Sequence, residues 1–476
     1  MRRYIKFLVY GAGVIVVLLA AAYFIAGPLI GKKVDGALRQ LPTSLQVSYA
    51  SLDLGLFSGT IVVRGAEVKF TPLADTQHRH KAVIEKIGLS GVRLWDLVFS
   101  KKLRAASLTV DGCVAELDEH LLEKNIPLPD VVSPFASVSI SEVRLKDMRL
   151  EVHKGKAKAL FLTGEGSMSG DRRAELRIDT LRSWPGVDKF ELGRSKGHQV
   201  DWVEASGGAI RVLGLDVNGL FAHRLIADEI SVGHGVVYVF RDRRLPLEAG
   251  EKPMPAEMLR RLPLEIRVRS VRIGLTRFTY EEFPKKGDST GVLKILRLRC
   301  VVAPLINHPL AGEPDYVVIR TEGSLMGSGM VEATTKVPLH KGEAYKVEGA
   351  FHQLDLTTLN ASAGNLGEIH LESGMLNSLD FAFRMDEERA TGKIIGEYHN
   401  LVAEKLRGNK KVDKLKSFVL KKLIIPKDKD KSLPVAKRTG KVDYKRDPGR
   451  YFSYYLLHSL LVGVKSSFTL GFLLPG

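Results

Sequence analysis

Asp75, His78 and His80 lie together in DTQHRH, and an H-x-H pair is a spacing that zinc sites use. No third and fourth ligand follows nearby, so the segment reads as a solvated basic loop. The pieces GEGSMSG (164–170) and GSLMGSG (323–329) share only their glycine content with phosphate-cradling loops. Neither is followed by GK[ST] and neither fits the dinucleotide fingerprint, so strand-linking turns account for them. The chain has no G-x-S-x-G elbow and no H-E-x-x-H zinc motif. Its two cysteines, Cys113 and Cys300, are far apart and read as inert thiols. The expectation is a protein that is not an enzyme, with no catalytic residue, no metal and no cofactor.

The informative spacing is apolar. In LEIRVRSVRIGLTRFTY (264–280), Leu264, Ile266 and Val268 alternate with charged residues. The apolar set then slips by one residue to Val271, Ile273 and Leu275, and again to Phe278 and Tyr280. Alternation predicts a strand with one apolar and one wet face, and each slip requires a bulge if the apolar set is to stay on one side. VSISEVRLKDMRLEV (138–152) repeats the design, with Val143 and Leu145 followed by Met148 and Leu150. Similar units recur from residue 47 onward, and about 12 residues per strand and turn gives about 30 strands up to residue 400. ELDEHLLEKN (116–125), PAEMLRRLP (255–263) and Leu356–Ala363 read as short helices. On pattern alone, such apolar faces meet another sheet and form a dry sandwich.

The elements around these strands set the context. Residues 7–30, FLVYGAGVIVVLLAAAYFIAGPLI, carry no charge and exceed the roughly 20 apolar residues that span a bilayer. The run continues past Ala20–Ala22, which favours an uncleaved anchor over a signal peptide. The expected division is a cytoplasmic tail at 1–6, the anchor at 7–30, a link at 31–46, a β-rich domain at 47–397 and a basic helical region at 398–476. Arg2, Arg3 and Lys6 place the start in the cytoplasm and the bulk outside it, which disfavours nucleic acid as a partner. Of a formal net charge of +17, about +12 lies between Lys405 and Arg450, where 17 Lys and Arg face 5 Asp. Lys410, Lys411, Lys414, Lys421 and Lys422 are the candidates there for attraction to anionic head groups, although solvation alone explains them equally well. The last segment, 451–474, carries His458 and Lys465 and reads as a helix packed on a sheet or lying on a membrane.

Three stretches resemble the AsmA-like family of envelope proteins, the AsmA, TamB and YhdP type. They are the anchor followed by LPTSLQVSYASLDLGLFSGTIVVRGAEVKF, the segment DLTTLNASAGNLGEIHLESGMLNSLDFAFRMDEERATGKIIGEYHNL (355–401), and the closing RDPGRYFSYYLLHSLLVGVKSSF. The last is similar to the aromatic terminal helix of short Bacteroidetes members. The resemblance implies an elongated, curved, mostly antiparallel sheet whose concave side holds phospholipid acyl chains. It further implies a single-pass inner-membrane protein of a Gram-negative envelope, with its bulk in the periplasm. There it would pass phospholipid toward the outer membrane, with an outer-membrane or envelope protein as a further partner. On that basis Val143, Leu145, Met148, Leu150, Ile266, Val268, Val271, Ile273, Leu275, Phe278 and Tyr280 are expected on the lining. The rival expectation is a structural or assembly factor for outer-membrane biogenesis that carries no lipid.

Overall fold

The computed structural model describes residues 45–55, 58–70, 80–93, 100, 102–118, 137–154, 157–168, 173–216, 219, 224–262, 264–285, 287–367, 369–405 and 436–467. The anchor at 7–30 and the five candidate head-group lysines lie outside these residues. Among the described residues no helix is long and apolar enough to cross a membrane.

Nineteen described strands belong to one mixed sheet, rather than about thirty in an antiparallel one. The difference comes from strand length, which reaches 19 residues because single-residue bulges let a strand run on where a turn is expected. The chain divides into two compact units, and the division cuts two strands, β9 (Asp201–Asp216) and β10 (Arg224–Asp242).

The first unit holds β1 (Leu45–Ser48), β2 (Ser51–Gly55), β3 (Thr60–Phe70), β4 (His80–Ser90), β5 (Lys102–Asp118), β6 (Ser137–Lys154), β7 (Ala157–Met168) and β8 (Arg173–Ser183). β1 and β2 pair side by side along β3, and each following strand pairs with the next. β5 and β6 run parallel, which the sequence reading did not anticipate.

The second unit holds α1 (Lys189–Lys196), α2 (Pro255–Arg260), β11 (Glu265–Phe283), β12 (Gly291–Ala303), β13 (Leu305–Ile306), β14 (Tyr316–Leu325), β15 (Gly329–Pro338) and β16 (Tyr345–Asp355). After a 3-10 turn (Leu356–Leu359) come α3 (Asn360–Gly367), β17 (Ile369–Met385), β18 (Arg389–Lys405), β19 (Ala436–Lys445) and α4 (Phe452–Ser467). The short helices read from PAEMLRRLP and Leu356–Ala363 are therefore present, whereas residues 116–118 of ELDEHLLEKN end β5 and the rest of that segment lies outside the described residues. The helical assignment for 398–476 needs correction, because 398–405 continue β18 and 436–445 form β19. In β19, Gly440, Val442 and Tyr444 alternate on one side, and the lysines between them hide that period.

α4 closes the core of this unit. Tyr455, Ser459 and Gly463, spaced four apart, are its buried stripe, and Tyr455 belongs to the same buried apolar cluster as Phe381, Phe383, Ile394 and Val442. Contact is close enough that a Cβ on Gly440 would lie 2.0 Å from the Gly463 carbonyl oxygen. The Ser466 hydroxyl donates to the Lys441 carbonyl at 2.8 Å and fixes the helix against β19. Gly440→Ala should therefore cost about 1–3 kcal/mol of stability through overpacking. Gly88→Ala, where a Cβ meets nothing within 4 Å, is the control that should unfold like the parent in calorimetry.

Candidate functional site

In the first unit the strand registers gather the apolar residues into four rows. Ile61 pairs with Leu89, Leu89 with Leu108 and Leu108 with Val143. The second row runs Val63, Ile87, Val110 and Leu145, and the third Ala66, Ile84, Cys113 and Met148. The fourth runs Val68, Ala82, Ala115 and Leu150. Across β7 and β8 the second row continues through Gly166 to Leu176 and the third through Gly164 to Ile178. None of these positions is charged.

The rows stay on one face of β3 to β6 only because each of these strands makes the same one-residue step between the second and third rows. β3 steps at Gly65 (φ +60°), β5 at Gly112 (φ +63°) and β6 at Asp147 (φ +49°). β4 steps where Glu85 and Lys86 are both exposed, whereas β7 runs in plain alternation from Gly166 to Gly164 and meets the step of β6 as a register shift. Left-handed backbone suits glycine and is tolerated by aspartate, which explains the residue types at the step. The opposite face is charged, with Arg144 bonded to Glu142 at 2.8 and 2.7 Å and Arg177 to Glu175 at 3.0 Å. Such exposed pairs add little stability and mark the wetted side.

Burial is graded across the rows. The row residues of β3, β4 and β5 are buried, whereas Val143, Leu145 and Met148 on β6 and Leu176 and Ile178 on β8 are only half-buried. Leu150 is buried. All four candidates read from residues 138–152 thus share the row face. Burial pushes the Cys113 thiol up to about 11, as befits a row residue with no charged neighbour acting on it.

In the second unit an equivalent row runs Ile273, Cys300, Thr321, Ala333, Gly349, Phe381 and Ile394. Val271 pairs with Val302 and Val268 with Leu305, and both partners pack against the core under α4. The start of β11 is held by Asn307, whose side chain accepts from the Ile266 N–H at 2.8 Å and donates to the Leu264 carbonyl at 2.7 Å. Ile266 and Val268 are buried, while Val271, Ile273 and Phe278 are half-buried.

Two candidates need correction. A bulge lies between Ile273 and Thr276, so Thr276 takes the buried place and Leu275 is left 49% exposed. Tyr280 lies in a polar cluster instead of an apolar lining. Its hydroxyl donates to Glu282 at 2.6 Å, and Glu282 also accepts from Arg243 at 2.9 Å. Beside them the buried Arg241 makes a bidentate pair with Asp201 at 2.7 and 2.6 Å, and burial holds the Tyr280 hydroxyl far above its ordinary pKa. Charged residues distant in sequence gave no signal for this cluster. A second cluster joins Lys189 on α1 to the Tyr238 hydroxyl and Glu281, both at 2.9 Å. In both clusters the ionised groups have opposite partners, which suits anchoring rather than acid–base work.

Among the described residues no group of three or more His, Cys, Asp or Glu could hold a metal ion. Comparison of the chain with protein-family models, with curated proteins and with solved structures finds no match.

The phase of β11 is open to a direct check by thermal unfolding. Leu275→Lys should change stability by no more than about 0.5 kcal/mol, as for an ordinary surface site. Val268→Asp, at a position 1% exposed, should cost at least about 3 kcal/mol by burying an unpaired charge.

Proposed function

We propose that the chain is a lipid-binding protein that holds phospholipid acyl chains on the uncharged row face of β3–β8. The observation that supports this most is the four-row register, in which no charged residue interrupts six successive strands. At a strand spacing of about 4.8 Å, five gaps give an apolar face about 24 Å across. Each methylene kept out of water on such a face avoids about 0.8 kcal/mol, so two long chains would otherwise face roughly 20 kcal/mol or more. The half-buried residues of β6 and β8 are where an acyl chain would gain contact without displacing a packed core. Anchoring in an inner membrane and passage of phospholipid toward an outer membrane follow from the AsmA-like resemblance and belong to the same proposal.

This reading is narrower than one apolar path along every strand. α4 fills the face over β16–β19 with Tyr455, Leu456, Leu460 and Val464, leaving a dry core there. That core is the observation favouring the second reading, a structural or assembly factor that carries no lipid.

Mass spectrometry of the detergent-purified chain separates the two. Stoichiometric phospholipid should co-purify with the parent and be lost from Leu145→Asp plus Met148→Asp, with the β-sheet circular dichroism retained. Equal phospholipid in both, or none in either, would contradict the acyl-chain reading. If the double variant unfolds, a photo-crosslinking residue at 145 gives the answer, because only a lipid-bearing face yields lipid adducts.

A further inference from the structure

α4 is apolar on both sides. Opposite its buried stripe, Ser453, Leu457 and Leu461 face outward, with Leu457 50% and Leu461 41% exposed. α2 adjoins the start of α4 through Tyr345, whose hydroxyl accepts from the Ala256 N–H at 2.8 Å and whose ring lies 5.1 Å from that of Phe452. Met258 on α2 and Leu262, two residues past its end, are 51% and 42% exposed. A helix that is apolar all round is ordinarily covered, and neighbouring exposed apolar residues mark a surface that meets a membrane or another protein.

The chemistry favours a membrane. α4 contains no acidic residue, and Lys465 is its one formal charge. The sequence that follows it, FTLGFLLPG (468–476), is uncharged. Arg260 lies beside Met258, while Arg261, next to Leu262, is paired with Glu257. A protein partner would be specified by polar groups to pair with, and the outward stripe offers only the Ser453 hydroxyl. A bilayer surface asks for apolar side chains with cations at the margin and nothing more.

We propose that the outward stripe of α4, together with Met258 of α2 and Leu262 just beyond it, docks on an anionic lipid bilayer surface, with α4 lying in the interfacial plane. The leucines would enter below the head groups while Arg260 and Lys465 meet lipid phosphates. This contact is independent of whether β3–β8 holds acyl chains, and phospholipid analysis of the same preparations keeps the two questions apart.

The test uses the full chain in vesicles of phosphatidylcholine with phosphatidylglycerol. Cys300→Ser removes the half-buried thiol, and an NBD probe is placed at Ser453→Cys or, as the off-surface control, at His340→Cys. The probe at 453 should shift to the blue and be quenched by lipids spin-labelled near the head group, less so in phosphatidylcholine alone or at high salt. The probe at 340 should show neither effect. Leu457→Asp plus Leu461→Asp should abolish the signal at 453 without lowering the melting temperature, because both leucines are exposed. Emission at 453 matching that at 340, or a blue shift that spin-labelled lipid does not quench, would overturn the proposal. The unquenched blue shift would point to a second copy or another protein on the stripe.

Discussion

Side-chain alternation has a period of two, so one extra residue in a strand sends everything after it to the other face. The first unit depends on avoiding that outcome in β3 to β6 together. Gly65, the exposed pair Glu85 and Lys86, Gly112 and Asp147 all lie between the second and third rows, where they form a line across the sheet. If β6 lacked its step, its third and fourth row positions would fall on Asp147 and Arg149 and present two charges to an apolar face. The cost of a charge without a partner there outweighs the strain of one left-handed residue. That difference is why a non-glycine residue, Asp147, is tolerated at φ +49°.

The two units use their apolar faces differently. In the second, the rows end beneath α4, where Ser459 and Gly463 let helix and strand backbones come together and the aromatic residues of β17 fill the interior. Closure there is a packing solution with its own anchors, including Asn307 at the start of β11. In the first, burial falls off from β5 to β6 within single rows, from Val110 to Leu145 and from Cys113 to Met148. A face that is uncharged, in register and only half-buried along part of its width is what a non-protein guest requires.

Much of this was legible in the residues themselves. The slip from Leu145 to Met148 predicts a step in the strand, and that step is present at Asp147. What the pattern could not give was the residue at which a bulge falls. Leu275 continues the apolar alternation, yet the extra residue beside Gly274 turns it outward and buries Thr276. Tyr280 reads as apolar until Arg241, Arg243 and Glu282 are brought beside it by the fold. β19 was obscured for the opposite reason, since lysines on its wet side outweigh a short Gly440–Val442–Tyr444 alternation. The parallel pairing of β5 with β6 left no local trace, because direction is set by the connection rather than by side-chain period.

The central claim is that the rows of β3–β8 accept hydrocarbon from outside the chain. Photo-crosslinking with a phospholipid bearing a diazirine in its acyl chain, followed by peptide mapping, tests it most directly. The account predicts adducts on the peptides carrying Val143, Leu145, Met148, Leu176 and Ile178, and few on those carrying Phe381 or Phe383. Adducts confined to the charged face of the same strands, or absent from β6 to β8, would contradict it.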